Sequence, residues 1–108
     1  MLSDATWYWR PVLAAYSATN AAWSFTNALR VDMRGKGIEV LGMHAGFIDT
    51  DLARGVDAKK ADPREVAKAT LNALENGEQE VLVEEHSRLV KLGLSTENGY
   101  YLDPPDFA

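Results

Sequence analysis

The sequence predicts an α/β fold built on a parallel sheet. Three observations carry that expectation. A long alanine-rich stretch, 14–34, has no proline or glycine and repeats apolar residues at helical spacing. A run of branched apolar residues, Ile38-Glu39-Val40-Leu41-Gly42-Met43, follows it immediately. A second helix signal and a second short apolar run, Glu80-Val81-Leu82-Val83-Glu84, come after. Helices alternating with short apolar strands are the pattern of parallel sheets covered by helices.

The elements follow in order. Residues 5–13 read as a loop containing Trp7, Tyr8 and Trp9, followed by Arg10 and Pro11. These aromatics either form an apolar wall or cover a core edge or partner surface, and the sequence leaves both open. Pro11 suits the first turn of the next helix, because a missing N–H costs nothing there. Ala18, Ala21, Ala22, Phe25, Ala28, Leu29 and Met33 give that helix its apolar face. Gly35 is expected to cap it. Tyr16 and Asn20 are four apart, so a continuous α-helix would put them on one face, one turn from each other. Residues 45–61 read as a polar loop. Asp62-Pro63-Arg64-Glu65 is a helix start, with an N-cap carboxylate, proline at the first helical position and a capping-box-like glutamate. Val66, Ala67, Ala69, Thr70, Leu71, Ala73 and Leu74 form its apolar face, and Asn76-Gly77 ends it. A short helix over 87–94 and a polar tail, 95–108, complete the chain.

Composition limits the function classes. The chain has 108 residues, 46% of them apolar, enough for one small core. Net charge is -5 and the sequence has no basic run beyond Lys59-Lys60, which argues against nucleic acid as a partner. No cysteine is present, so neither a disulfide framework nor a thiolate metal site is expected. No apolar stretch approaches a membrane span and the N-terminal residues do not read as a signal peptide. A cytoplasmic location is the expectation. His44 and His86 show no ligand-type spacing with Asp49, Asp51 or Glu85, so no metal site is expected and both read as structural or surface histidines. Glu84-Glu85 reads as solvated charge.

The most informative run is Tyr16-Ser17-Ala18-Thr19-Asn20. It resembles the Tyr-x-x-x-Lys signature of the short-chain dehydrogenase/reductase family. Ser3 precedes Tyr16 by thirteen residues, which is similar to the family's serine-to-tyrosine spacing. The run IEVLGMHAGFIDTDL resembles the family's strand followed by Pro-Gly-x-x-x-Thr, with Ala45 in the proline's place and Gly46 and Thr50 matching. The likeness extends from about Leu2 to about Gly93.

This resemblance implies the C-terminal portion of a Rossmann-type doubly wound parallel sheet, lacking the N-terminal dinucleotide-binding half. Residues 1–94 would be that partial domain and 95–108 a tail. The glycine-rich turn that meets a dinucleotide pyrophosphate has no counterpart among the scattered glycines. The implied activity is nicotinamide-dependent oxidoreduction of a small-molecule alcohol or carbonyl, with NAD or NADP as cofactor. Tyr16 would be the acid/base, Ser3 the partner of the substrate oxygen, and Asn20 would occupy the lysine position. Tyr16, Asn20, Gly46, Ile48 and Thr50 would contact the cofactor.

Asn20 matters quantitatively. A free phenol titrates near ~10 and is almost fully protonated at pH 7. A unit cation about 5 Å away at an effective dielectric of ~20 favours the phenolate by roughly 3 kcal/mol, about two pK units. An asparagine amide can hydrogen-bond a ribose hydroxyl but carries no such charge. Three readings therefore stand: an impaired or inactive oxidoreductase, a non-catalytic module that pairs with itself or with a related subunit, and a truncated product without a separate role. The exposed edge of a parallel sheet and the alanine-rich helix favour pairing.

Overall fold

The computed structural model describes residues 1–7, 11–99 and 101–102. Tyr8, Trp9 and Arg10, which the sequence places in the aromatic loop, lie outside the described residues, as do Tyr100 and residues 103–108.

Three parallel strands form the sheet in sequential order: β1 (Leu2–Ser3), β2 (Gly42–Ala45) and β3 (Glu80–Leu82). Leu2 pairs with His44 and Ser3 with Ala45, while Gly42, Met43 and His44 pair with Glu80, Val81 and Leu82. The α/β expectation holds, and the strands are neighbours in sequence order. Helix α1 (Thr19–Asp32) connects β1 to β2, α2 (Pro63–Glu75) connects β2 to β3, and α3 (Glu85–Leu92) follows β3.

Alternation along the strands sends side chains to two faces. Trp7 and Val90 form the core on one face, with Trp23 of α1, Leu82 and Leu94 packed against them. Met43, Ala45 and Val66 form the other, covered by Ile48, Ala61, Val81 and Val83. Helices thus cover both faces of β2, the one strand buried along its whole length. That is the doubly wound arrangement.

Three boundaries differ from the sequence reading. The helix expected to begin at Ala14 is α-helical only from Thr19, and Pro11–Ala18 winds as a 3-10 helix instead. Tyr16 and Asn20 therefore lie on either side of a change in helical winding. A strand expected over Ile38–Met43 begins only at Gly42, because its ladder partner on β3 starts at Glu80. Ile38 remains exposed. In place of further ladder bonds, the Arg30 guanidinium donates to the carbonyls of Val40 (3.1 Å) and Gln79 (2.8 Å), tying the end of α1 to the entries of both strands. Helix α3 begins at Glu85, and a 3-10 turn extends it through Ser95.

Other elements follow the sequence. Asp62 caps α2, its carboxylate accepting the Arg64 N–H at 2.8 Å, a contact worth ~1 kcal/mol. Val66 and Ala73 are its buried residues, one stripe two turns long, while Leu71 and Leu74 of the expected apolar face are exposed. Met33 caps α1 and the chain turns away through Gly35 and Gly37, at φ +76° and +73°. Those are left-handed conformations that glycine adopts without penalty. No helix among the described residues is long and apolar enough to cross a membrane.

Candidate functional site

The site lies at the carboxyl ends of the strands, where open α/β sheets bind ligands. Ser3 ends β1 in an extended conformation and caps the short 3-10 turn Asp4–Thr6. Its Oγ accepts the Ala5 N–H at 3.2 Å. An accepting hydroxyl keeps its own proton, so Ser3 remains able to donate to a substrate oxygen.

Tyr16 is 46% exposed, so the 3-10 segment presents it to solvent. Its backbone carbonyl accepts the Thr19 hydroxyl at 2.8 Å. Thr19 Oγ1 lies 2.9 Å from Thr6 Oγ1, and the Asn20 amide donates to the Thr6 carbonyl at 2.8 Å. The turn that begins at Ser3 is therefore bonded directly to the segment carrying Tyr16 and Asn20. Ser3, Tyr16 and Asn20 belong to one connected structure.

Gly46 immediately follows β2. Its N–H donates to Glu84 Oε1 at 3.1 Å. A Cβ at this position would stand 3.2 Å from Asp4 Oδ2 and 3.5 Å from Glu84 Oε1. The close approach favours glycine here, since a Cβ would make these carboxylate side chains shift. The Ile48 side chain packs against the Met43–Ala45–Val66 core, and its backbone pairs with Ala61 in an isolated parallel bridge. The Ile48 carbonyl accepts the Thr50 N–H at 2.8 Å. Thr50 is exposed, and its hydroxyl makes only a long, 3.4 Å contact to the same carbonyl. The base of the 46–61 loop is closed by Asp49 N–H to Ala61 carbonyl and Ala61 N–H to Phe47 carbonyl, at 2.9 and 2.8 Å.

Several functional candidates escaped the sequence reading. Asp4 is buried and neither carboxyl oxygen makes a well-formed hydrogen bond. Burial pushes its carboxyl above the usual range. The adjoining Ser87 hydroxyl and His86 draw it back, and Glu84 pushes it up further. Glu84, expected to be a solvated charge, is half-buried and holds the Gly46 N–H. The detectable signal was position: Asp4 directly follows β1 and Glu84 closely follows β3.

Trp7 is the fully buried centre of one core, which selects the core-covering alternative for that residue. It stacks on His44 with ring centroids 4.1 Å apart and meets Trp23 edge-on at 5.3 Å. Burial pushes the His44 imidazole down to about 4, against a smaller upward pull from Glu80. Glu80 lies 3.7 Å from His44 Nε2, accepts the Trp23 indole N–H at 3.2 Å, and pairs with Lys91. Burial opposes the Glu80 carboxylate, but the Lys91 and Trp23 donors outweigh it and hold the group below its ordinary value. His44 is thus a core residue facing Glu80, away from the acids considered in the sequence. Among the described residues no group of three or more His, Cys, Asp or Glu is placed to hold a metal ion.

The fit to a nicotinamide dinucleotide is partial. An exposed phenol at Tyr16 and an exposed hydroxyl at Thr50 suit the polar nicotinamide–ribose end. The Gly46 turn faces two carboxyl groups, Asp4 and Glu84, and so does not offer a pyrophosphate cradle.

Comparison with solved structures bears on this geometry. A short chain dehydrogenase from Burkholderia cenocepacia J2315, solved in complex with NADP, superposes with a TM-score of 0.80 at 31% sequence identity. The match covers 89% of this chain and 42% of that one. No family model matches, and no curated protein does. The fold is therefore that of a short-chain dehydrogenase/reductase, and the chain spans less than half the length of that solved relative.

Proposed function

We propose that this chain carries the substrate side of a nicotinamide-dependent oxidoreductase of the short-chain dehydrogenase type, acting on an alcohol or carbonyl with impaired turnover. The bonded connection between the Ser3 turn and the Tyr16 segment, at the carboxyl ends of parallel strands, carries this reading. The NADP complex of the similar structure supports it. NADH or NADPH would supply the hydride to the carbonyl carbon, and the oxidised form would accept it from the alcohol carbon in the reverse direction. In the reducing direction the Ser3 hydroxyl donates to the carbonyl oxygen and orients it. Tyr16 then delivers its phenolic proton to that oxygen as negative charge develops there. The resulting phenolate regains a proton from solvent, which its exposure permits.

Asn20 bears on rate and direction. It places no cation beside Tyr16, so the phenol serves better as an acid than as a base, and reduction suffers less than oxidation. Tyr16→Phe should abolish carbonyl reduction while leaving the fold intact. Asn20→Lys should raise turnover, with the larger gain in alcohol oxidation. Steady-state rates with NADPH and NADH check both. A reduction rate equal in wild type and Tyr16→Phe would remove Tyr16 from the chemistry.

One observation favours a second reading, a self-association or subunit-pairing module. Helix α1 contributes no buried residue, and Phe25 and Val31 stand 67% and 55% exposed. Ala21, Phe25 and Ala28 share one face at helical spacing, where small residues allow another helix to approach closely. Native mass spectrometry of wild type and Phe25→Glu decides this: a dimer lost in the variant supports pairing through α1, and a strictly monomeric wild type removes it.

A further inference from the structure

The polar contacts between the Ser3 turn and α1 have a direction that the distances determine. Thr19 has one hydroxyl proton, and it goes to the Tyr16 carbonyl. Thr19 must then act as acceptor toward Thr6, so the Thr6 hydroxyl is the donor across their 2.9 Å contact. The result is a relay from Thr6 hydroxyl to Thr19 hydroxyl to Tyr16 carbonyl. Asn20 adds a second, independent bond to the same turn, through the Thr6 carbonyl. Thr6 is fully buried, so its hydroxyl cannot exchange this partner for water.

Each end of the relay touches a residue of the proposed chemistry. Thr6 ends the turn that Ser3 begins and caps. Tyr16 lies in the 3-10 segment just before α1, where the helix changes winding. The carbonyl that Thr19 holds is therefore one whose direction depends on that change, and the phenol moves with its backbone.

We infer that Thr6, Thr19 and Asn20 form a clamp that fixes the Ser3 hydroxyl relative to the Tyr16 phenol, and that Asn20 serves this chain as a positioning residue. This assignment rests on the redox reading for its purpose, but the coupling itself exists without cofactor. It gives Asn20 a task besides cofactor contact: one amide proton is held by a backbone carbonyl of the serine turn.

The test is amide hydrogen exchange with side-chain NMR on the whole chain, without cofactor. Ala5 N–H is held by Ser3 Oγ and so reports the serine turn, while the Tyr16 ring resonances report the phenol. Thr19→Val should speed Ala5 exchange about tenfold and shift the Tyr16 ring, with amides of α2 and β3 unchanged. Thr19→Ser, which restores the hydroxyl, should return both signals to wild type. Asn20→Asp replaces a donor with an acceptor facing a carbonyl and should reproduce the Thr19→Val result. If Thr19→Val is too unstable to measure, Asn20→Asp, half-exposed in the native chain, gives the same reading. Unchanged Ala5 exchange in Asn20→Asp, or failure of Thr19→Ser to rescue, overturns the clamp. An NADPH titration on the same samples judges the redox reading separately: absent binding removes that reading and leaves the exchange result standing.

Discussion

The Ser3–Trp7 stretch is held from two sides, and the two sides differ in kind. Toward α1, the polar groups that tie it down are matched: Thr6 to Thr19, Thr19 to Tyr16, Asn20 to Thr6. On the other side, buried polar atoms lack a well-formed hydrogen bond: both oxygens of Asp4 and the Ser87 Oγ beside it, both ring nitrogens of His44, and Trp7 Nε1. Matched neutral groups give a junction with fixed geometry and no response to pH. Unmatched titratable groups under burial give a junction whose stability depends on protonation. The side bearing the proposed chemistry is the matched one.

Acid should break this contrast most strongly. The His44 pKa of about 4 lies below its ordinary 6.5, so the neutral form stabilises the fold. That contribution is complete above about pH 6.5 and is lost as pH falls toward 4, by up to about 3 kcal/mol. Asp4 acts with the opposite sign, since a raised carboxyl pKa favours the fold at low pH and loses that contribution as pH rises. Urea unfolding between pH 7 and pH 4 should show the His44 loss, and His44→Gln should flatten the slope. Hydrogen exchange at pH 4.5 should find α3 opening before the Thr6–Thr19 junction. Simultaneous opening would mean that the two sides are one cooperative unit.

Removing one matched partner should come next in size. Thr19→Val strands the buried Thr6 hydroxyl and should cost about 1–3 kcal/mol at every pH between 4 and 8. A strongly pH-dependent cost would contradict the division between the two sides. Asp4→Asn should act in reverse. It removes an acid whose ionisation burial disfavours, and its amide can reach for Glu84 or Ser87. A gain of about 1 kcal/mol at pH 7, shrinking as pH falls, is expected from thermal or urea unfolding. Smallest of all, Phe25→Glu should change stability by less than about 0.5 kcal/mol, because Phe25 is exposed.

The α1 side was largely legible in the sequence, and the α3 side was not. Tyr16, Asn20 and Ser3 announced themselves by spacing, and the Asp62 cap and the Gly77 stop by local chemistry. Local rules sufficed because each of those features is set by residues near it in the chain, or by one repeat of a known pattern. Asp4 reaches Ser87, and His44 reaches Glu80, only when three strands come into register. Nothing in a window around Glu84 distinguishes a solvated carboxylate from one that holds Gly46. The late start of β2 has the same cause: Ile38 and Val40 have strand composition, but the strand exists only where β3 provides a partner. The 3-10 winding before Thr19 was not legible either, since alanine-rich composition alone favours α-helix throughout.

The most direct measurement of the central proposal is a fluorescence titration of the purified chain with NADPH and NADH, at a protein concentration where any dimer is populated. Saturable binding, weakened by Thr50→Val, is predicted. No binding of either dinucleotide up to millimolar concentration would contradict it. Ser3 and Tyr16 would then be a catalytic geometry retained without its chemistry, leaving α1 pairing as the function to pursue.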